Sequence, residues 1–223
     1  MIPHLLAEDI LLDIEDRKSR MLTTQTLFDK YDFSDADEQF FLNHSFPIIY
    51  SIWEGFVQTT FQTYIREINK EINRLNLLPQ QICKPILLQQ IESRFPQFKQ
   101  YPEAIEKKIK FIDNFSFFLA RTNMRIDPHF NTESNVGFKV LNRLLTEFNL
   151  ENITEYPISQ YSLKEELDEF LLKIRNGIAH GENAIQVQRN DLNRAITLVK
   201  YLMDLVFEKV NEGFRDKKYL HIV

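Results

Sequence analysis

The run Arg175-Asn176-Gly177-Ile178-Ala179-His180 brings together residue types that suit metal-independent cleavage of a phosphodiester. Cleaving RNA in this way needs a group that takes the 2′-hydroxyl proton, a donor for the leaving 5′-oxygen, and positive charge against the phosphorane. Imidazoles exchange protons near neutral pH, and a guanidinium stays charged and grips two phosphate oxygens. We therefore predict that Arg175 and His180 are catalytic, and that the Asn176 amide orients the phosphate or a ribose hydroxyl.

Arg175 and His180 share a site only if a helix ends between or beside them. On a straight α-helix their spacing leaves them about 140° apart. Gly177 and Gly181 are of the residue type that permits a break, because glycine has no Cβ. The alternative is a surface arginine and a histidine that interacts with the last carbonyls of a helix, which is a common arrangement.

Amphipathic segments fill most of the chain and predict an all-α fold. Five Gly stand against 19 Phe, a mixture that suits helices packed through aromatic rings better than a turn-rich β fold. The second helix should be kinked or divided at Pro47. The predicted helices cover residues 5–31, about 35–76, 104–122, 134–148, 163 into the Arg-His motif, and about 189–214.

The helix after Pro47 has the clearest core-facing pattern. Its apolar positions follow steps of three or four and predict a buried stripe, formed by Ile49, Trp53, Phe56, Val57, Thr60 and Tyr64. Trp53 and Phe56 are therefore expected in the core rather than as platforms for stacked bases. Glu54 lies beside the stripe, where it either pairs with Arg175 or His180 or lies in solvent.

The segment 77–103 differs from the rest because it contains Pro79, Pro85, Pro96 and Pro102. These prolines limit it to short helices and turns, which we expect to form an insertion or cover. We interpret residues 1–223, with this insertion included, as a single domain.

The formal net charge of −5 argues against generic, charge-driven binding of nucleic acid. It leaves room for a local basic patch, and a strip formed by Arg66, Lys70, Arg121 and Arg125 is one hypothesis.

Cysteine and histidine usage predicts no metal site and no cofactor. The single cysteine, Cys83, excludes an internal disulfide and a thiolate cage for zinc, and His4, His44 and His221 lie far apart in sequence. No segment has the length and apolar character of a signal peptide or a membrane span. A cytoplasmic protein without membrane association is expected.

The motif Arg175-Asn176-Gly177-Ile178-Ala179-His180-Gly181 resembles the Arg, four to six residues, His signature of ribonucleases of the HEPN superfamily. The run from Ile49 to Val57, with Trp53-Glu54-Gly55-Phe56 at its centre, resembles a helix of a prokaryotic HEPN subfamily. Ser134-Asn135-Val136 and the following helix are similar to the middle region of that subfamily. The resemblance covers about two-thirds of the chain and leaves 77–103 unmatched.

The resemblance implies an HEPN-like helical bundle with a Pro-rich helical insertion. It implies a homodimer in which two Arg-His motifs form one composite site that cuts RNA without a metal and leaves a 2′,3′-cyclic phosphate. Such proteins commonly act as toxins of toxin-antitoxin pairs or as phage-defence effectors, so an antitoxin or an activating partner is expected. The alternatives are a non-catalytic HEPN module that binds a partner protein or a nucleotide, and a helical scaffold unrelated to RNA.

Overall fold

The computed structural model describes residues 5–98, 100–121, 124–133, 135–181 and 185–221. Over these residues the fold is all-α, as predicted, and it contains no strand beyond an isolated bridge between Ile82 and Leu220. The α-helices are α1 (Leu5–Lys30), α2 (Asp35–Leu75), α3 (Lys84–Arg94), α4 (Ile105–Leu119), α5 (Phe138–Glu147), α6 (Lys173–Ala179) and α7 (Arg189–Arg215). Short 3₁₀-helices span Pro79–Gln81 and Pro96–Phe98, and a π-helix, Glu165–Leu172, leads into α6.

The core lies between α1, α2 and α7, and α6 packs against α2. The predicted stripe of α2 is buried throughout, and Trp53 and Phe56 are core residues as expected. Their burial provides the hydrophobic stabilisation that holds the three long helices together. The long helix α2 therefore serves as the scaffold to which the other elements attach.

Helix α2 runs unbroken for 41 residues with Pro47 inside it. Of the two predicted effects of Pro47, a kink or a division, the division is therefore wrong. Proline removes one backbone hydrogen bond and usually breaks a helix interior. Here Phe46, Ile49 and Tyr50, which lie on either side of it, are almost fully buried. Their packing outweighs the local cost, because tertiary burial overrides intrinsic helix propensity.

Helices α1 and α2 approach closely at Gly55. The Arg17 guanidinium donates from Nη1 to the carbonyl of Ile52 at 2.8 Å, and its Nε bonds Asp13 at 2.7 Å. A Cβ on Gly55 would lie 3.0 Å from Arg17 Nη1. The glycine of the Trp-Glu-Gly-Phe segment therefore makes room for an arginine that links the two helices.

The segment 77–103 consists of short helices and turns, as its prolines predict. It is anchored to the chain after α7, because the backbone N–H of Cys83 donates to Tyr219 O at 2.9 Å and that of His221 donates to Gln81 O at 2.8 Å. Burial raises the pKa of the Cys83 thiol, which disfavours its reactive thiolate form. The division of the chain into one domain with an insertion stays a prediction.

The start of α5 differs from the predicted start. Ser134, at which the predicted helix 134–148 begins, lies outside the described residues, and α5 begins at Phe138, four residues later. Asp168 Oδ1 accepts the Phe138 backbone N–H at 2.8 Å, so a carboxylate on the π-helix replaces a local cap. Within the described ranges, no helix has both the length and the apolar character needed to cross a bilayer.

Candidate active site

The Arg-His motif lies at the end of a helical segment that changes its winding. Ser162 Oγ accepts the backbone N–H of Glu165 at 3.2 Å, and the Glu165 carboxylate accepts the N–H of Ser162 at 2.8 Å. This capping box starts the segment, which is π-helical over Glu165–Leu172 and α-helical over Lys173–Ala179. Rare π-helical turns occur frequently at functional sites, because the extra residue shifts the side chains that follow.

The guanidinium of Arg175 is half-buried and held from three directions. Its Nη1 donates to Asn176 Oδ1 at 2.7 Å and to Asn135 Oδ1 at 3.3 Å. Its Cζ lies 4.8 Å from the centroid of the Tyr50 ring, within the range of a cation–π interaction. Asn176 therefore orients the guanidinium of Arg175. This differs from its predicted role, in which the amide orients the phosphate or a ribose hydroxyl.

Two side chains of α2 hold the loop that supplies Asn135. The hydroxyl of Tyr50 accepts the backbone N–H of Val136 at 2.7 Å, and Trp53 Nε1 donates to the Val136 carbonyl at 2.9 Å. The backbone N–H and the carbonyl of the buried Val136 are thus both hydrogen-bonded to side chains of α2. The same tyrosine that stacks on Arg175 fixes the residue next to Asn135, so ring, loop and guanidinium form one connected unit.

The charges at this site affect one another. Burial and the negative charge of Glu54 raise the pKa of Tyr50 to about 12, against the opposing effects of the Val136 N–H and Arg175. Burial also raises the pKa of Glu54, and the positive charge of Arg175 partly counters that rise. Glu54 therefore interacts electrostatically with Arg175, although no ion pair within 4.0 Å joins them among the described residues.

His180 lies where the helix ends. Its backbone N–H donates to Asn176 O at 2.9 Å, and Gly181 follows with a φ of 74°, a left-handed conformation that favours glycine. Gly181 thus provides the predicted break, whereas Gly177 lies inside α6 and does not interrupt it. The imidazole of His180 is exposed.

Arg175 bonds Asn176 and interacts electrostatically with Glu54, whereas the ring of His180 makes no bond to these side chains in the described part of the chain. No hydrogen bond or ion pair within the described part of the chain joins the His180 ring to Arg175 or Glu54. Arg175 lies within α6 and His180 ends that helix five residues later, and because Gly177 does not interrupt the winding, the two side chains do not form a closed site within one copy. A second surface is needed to complete it.

Tyr50 and Asn135 are functional candidates that sequence reasoning did not identify as site residues. Tyr50 lies one turn before Glu54, and residues four apart on a helix are neighbours, so helical spacing was an available signal. Asn135 lies 40 residues from Arg175 and belongs to a segment without regular structure. No local pattern indicates such a contact.

The predicted basic strip is divided between two places. Arg66, Lys70 and Arg125 line one cavity of about 480 Å³, where Arg66 is paired with Asp9 and both Arg66 and Lys70 with Glu67. Arg121 lies instead in a separate groove beside α4. The sequence positions are compatible with one strip, but carboxylates neutralise two of its members, Arg66 and Lys70.

Two other histidines, His44 and His129, contact groups outside the Arg175 site, and His4 lies outside the described residues. His129 Nδ1 lies 2.7 Å from Asp127 Oδ1, and hydrogen bonds from His129 lower the pKa of that carboxyl group. The ring of His44 stacks on Phe40 at 4.0 Å between centroids. No group of three or more His, Cys, Asp or Glu side chains suited to a metal ion occurs in the described ranges.

Comparison with known proteins identifies a family that the chain matches. A family model described as RiboL-PSP-HEPN matches residues 11–212. No curated protein and no solved structure matches the chain. The matched range begins within α1, ends within the last turn of α7, and includes the Arg-His motif, the α2 segment around Trp53, and 77–103.

Proposed function

The chain belongs to the RiboL-PSP-HEPN family, and on that premise we propose that it is a metal-independent endoribonuclease with Arg175 and His180 as catalytic residues. The observation that carries this proposal is the pattern of hydrogen bonds made by the Arg175 guanidinium. Its two described hydrogen bonds both use Nη1. No bond to Nη2 or Nε occurs within the described part of the chain, so these donors remain for two phosphate oxygens.

The proposed reaction needs two histidines. His180 of one copy takes the proton from the 2′-hydroxyl, the 2′-oxygen bonds to phosphorus, and the bond from phosphorus to the 5′-oxygen breaks. His180 of a second copy donates a proton to the leaving 5′-oxygen. The products are a 2′,3′-cyclic phosphate and a 5′-hydroxyl. Arg175 stabilises the charge that develops on the phosphorane, and Asn176 and Glu54 support it.

A homodimer is supported by an apolar surface beside the site. Phe40 and Ile48 are 65% and 49% exposed, and they lie on one face of α2 together with His44. Glu54 borders the same face, because steps of three or four keep residues on one side of a helix. A two-fold pairing through this face would bring a second motif towards the first, since such interfaces use the same patch on both copies.

The biological role that we propose is a cytoplasmic toxin of a toxin-antitoxin pair or a phage-defence effector. An RNA-cutting site on an exposed helix end requires control, which an antitoxin or an activating partner would provide. The narrower assignment to a prokaryotic subfamily with a Trp-Glu-Gly-Phe helix stays a prediction.

The second candidate function is a non-catalytic HEPN module that binds a partner protein or a nucleotide. It is favoured by the exposed ring of His180, which makes no described contact with Arg175 or Glu54 within one copy. A single copy therefore does not assemble an acid, a base and a cation in one place.

The deciding experiment compares wild type, His180→Ala and Arg175→Lys in induced cells and as purified proteins with EDTA. We expect the wild type to arrest growth and to produce new 2′,3′-cyclic phosphate ends, mapped across total RNA. Loss of proton transfer should lower cleavage by roughly 10²- to 10⁴-fold in His180→Ala. Arg175→Lys should also be impaired, because an ammonium cannot replace the two-pronged contact.

The matched control is His129→Ala, since His129 is 92% exposed and bonds only Asp127 among its described partners. This variant should cleave like the wild type. If the wild type forms no new ends with any cellular RNA, or if His180→Ala forms the same ends, the nuclease proposal is wrong and the binding module takes its place.

A further inference from the structure

A groove in the region of α3 and α4 combines positive charge with aromatic rings. It has a volume of about 450 Å³ and lies between the end of α3, the 3₁₀-helix after it, and one side of α4. Four cations line it, namely Arg94, Lys107, Lys110 and Arg121, and none of its described lining residues is acidic. The nearby carboxylates Glu103, Glu106 and Asp113 do not line it.

The cations of this groove are available to an anion. No ion pair among the described residues involves Lys107, Lys110 or Arg121, and the described partner of Arg94 Nη2 is the carbonyl of Arg125 at 2.7 Å. This contrasts with Arg66 and Lys70, whose charges are balanced by carboxylates. A protein with a net charge of −5 thus has an uncompensated positive groove.

Aromatic rings lie directly beside these charges. Phe117 is 69% exposed, and the Arg121 guanidinium lies 5.8 Å from its centroid. Phe111 lines the same groove and stacks at 6.0 Å on Phe115. Phe111 is partly buried, whereas Phe117 faces solvent, and an exposed phenyl ring beside cations favours a ligand with both flat faces and negative charge.

We infer that this groove binds a single-stranded segment of RNA, with phosphates on the cations and bases stacked on Phe117 and Phe111. Proteins that bind single strands combine these two features, since every base has a π-face and every linkage a charge. A duplex would present its phosphates but not its base faces. The inference rests on the proposed ribonuclease function and gives its substrate class.

The groove lies well away from the Arg-His motif. Arg175 stacks on Tyr50, whereas Arg94 bonds Arg125, which lines the cavity beside Arg66. Sixteen residues of α2 separate Tyr50 from Arg66, which is about 24 Å along the helix axis. The RNA must therefore extend over several nucleotides beyond the bond that is cut.

The test measures binding of a labelled single-stranded RNA oligonucleotide by fluorescence anisotropy over a range of salt concentrations, in His180→Ala protein. Replacing Lys107, Lys110 and Arg121 together by Gln should weaken binding and lower the slope of log K against log salt by about 2, since each contact contributes about 0.7. Phe117→Ala should weaken binding about tenfold and leave the slope unchanged.

Control variants carry changes of the same kind elsewhere, and Lys164→Gln with Lys217→Gln is matched to Lys107→Gln with Lys110→Gln. Lys164→Gln with Lys217→Gln removes two exposed charges outside the groove, and Tyr31→Ala removes an exposed ring. These variants should bind like the parent. Equal binding by the groove variants, or equal affinity for the duplex of the same sequence, would overturn the inference.

Because the His180→Ala background does not cut, the binding result is independent of the proposed reaction. Groove-dependent binding together with a wild type that never cleaves RNA would reject the nuclease function alone. Cleavage by the wild type together with groove variants that bind normally would reject the groove alone.

Discussion

Arg175 is oriented by side chains from three separate parts of the chain. Tyr50 stacks on the guanidinium, and Asn135 and Asn176 accept hydrogen bonds from the same nitrogen. A site that recognises a phosphate depends on such support, because a guanidinium that must be ordered during binding loses affinity. Tyr50 contributes to this support in two ways, because it also fixes the backbone next to Asn135.

Tyr50→Phe tests that role. The substitution keeps the ring against Arg175 but removes the hydroxyl that accepts the buried Val136 N–H. An unsatisfied buried donor costs about 1–3 kcal/mol, so the free energy of unfolding should fall by that amount in urea denaturation. Tyr31→Phe is the matched control, because Tyr31 is 61% exposed, and its effect should stay within about 0.5 kcal/mol. Equal stability of the two variants would contradict the role assigned to the hydroxyl.

At the scale of residues, chemistry and helical spacing singled out Arg175, Asn176, Glu54 and His180, and their roles in a catalytic site stay a prediction. The structure shows that Arg175 bonds Asn176 and interacts electrostatically with Glu54. The contacts with Tyr50 and Asn135 join positions more than 30 residues apart. Such contacts depend on how helices pack, and no local spacing encodes them.

At the scale of elements, the long helices followed from their apolar periodicity, and their irregular parts did not. The α-pattern of Leu163, Leu167 and Ile174 predicts an ordinary helix, yet Glu165–Leu172 is π-helical. Its carboxylates bond distant groups, with Glu166 bound to Arg194 and Asp168 to the start of α5. These tertiary hydrogen bonds accompany the change from α- to π-helical winding. The sequence of one segment cannot indicate them, because their partners lie in other parts of the chain.

The buried carboxylate of Glu166 provides a prediction about this segment. Glu166 is 1% exposed and pairs with Arg194 at 2.9 Å, while the guanidinium lies 4.0 Å from the Phe170 centroid. Arg194→Ala leaves that charge without its cation. We expect a loss of about 2–3 kcal/mol in unfolding free energy, less than for a fully buried pair because Arg194 is 37% exposed.

The comparison for this variant is Arg20→Ala, which breaks an exposed pair with Asp16. Surface pairs of this kind contribute about 0–1 kcal/mol, so chemical denaturation should separate the two variants clearly. A loss in Arg194→Ala no larger than in Arg20→Ala would mean that other donors, such as the Ser159 hydroxyl, stabilise the Glu166 carboxylate without Arg194.

At the scale of the whole molecule, net charge does not describe the local charge of the surface. The sum of −5 argues against nucleic-acid binding, but the carboxylates are placed unevenly. They neutralise Arg66 and Lys70 and leave the groove beside α4 positive. The fold class could be predicted from the sequence because periodicity is local, whereas charge distribution and pairing between copies depend on the assembled surface.

Assembly into a dimer is the prediction on which the proposed chemistry depends. If two copies pair through the exposed face of α2, Phe40→Glu and Ile48→Glu place charges in an apolar contact and should favour the monomer. Sedimentation equilibrium should give about twice 26.7 kDa for the wild type and the single mass for both variants. RNA cleavage should fall in proportion to the dimer fraction, because one copy supplies only one His180.

Leu88→Glu separates this effect from a general response to new surface charge. Leu88 lies on α3 and is 52% exposed, comparable to Ile48, but it is not on the α2 face. The variant should remain a dimer with normal cleavage. Full cleavage by a monomeric Phe40→Glu protein would show that one chain is sufficient, and the division of acid and base between two histidines would have to be abandoned.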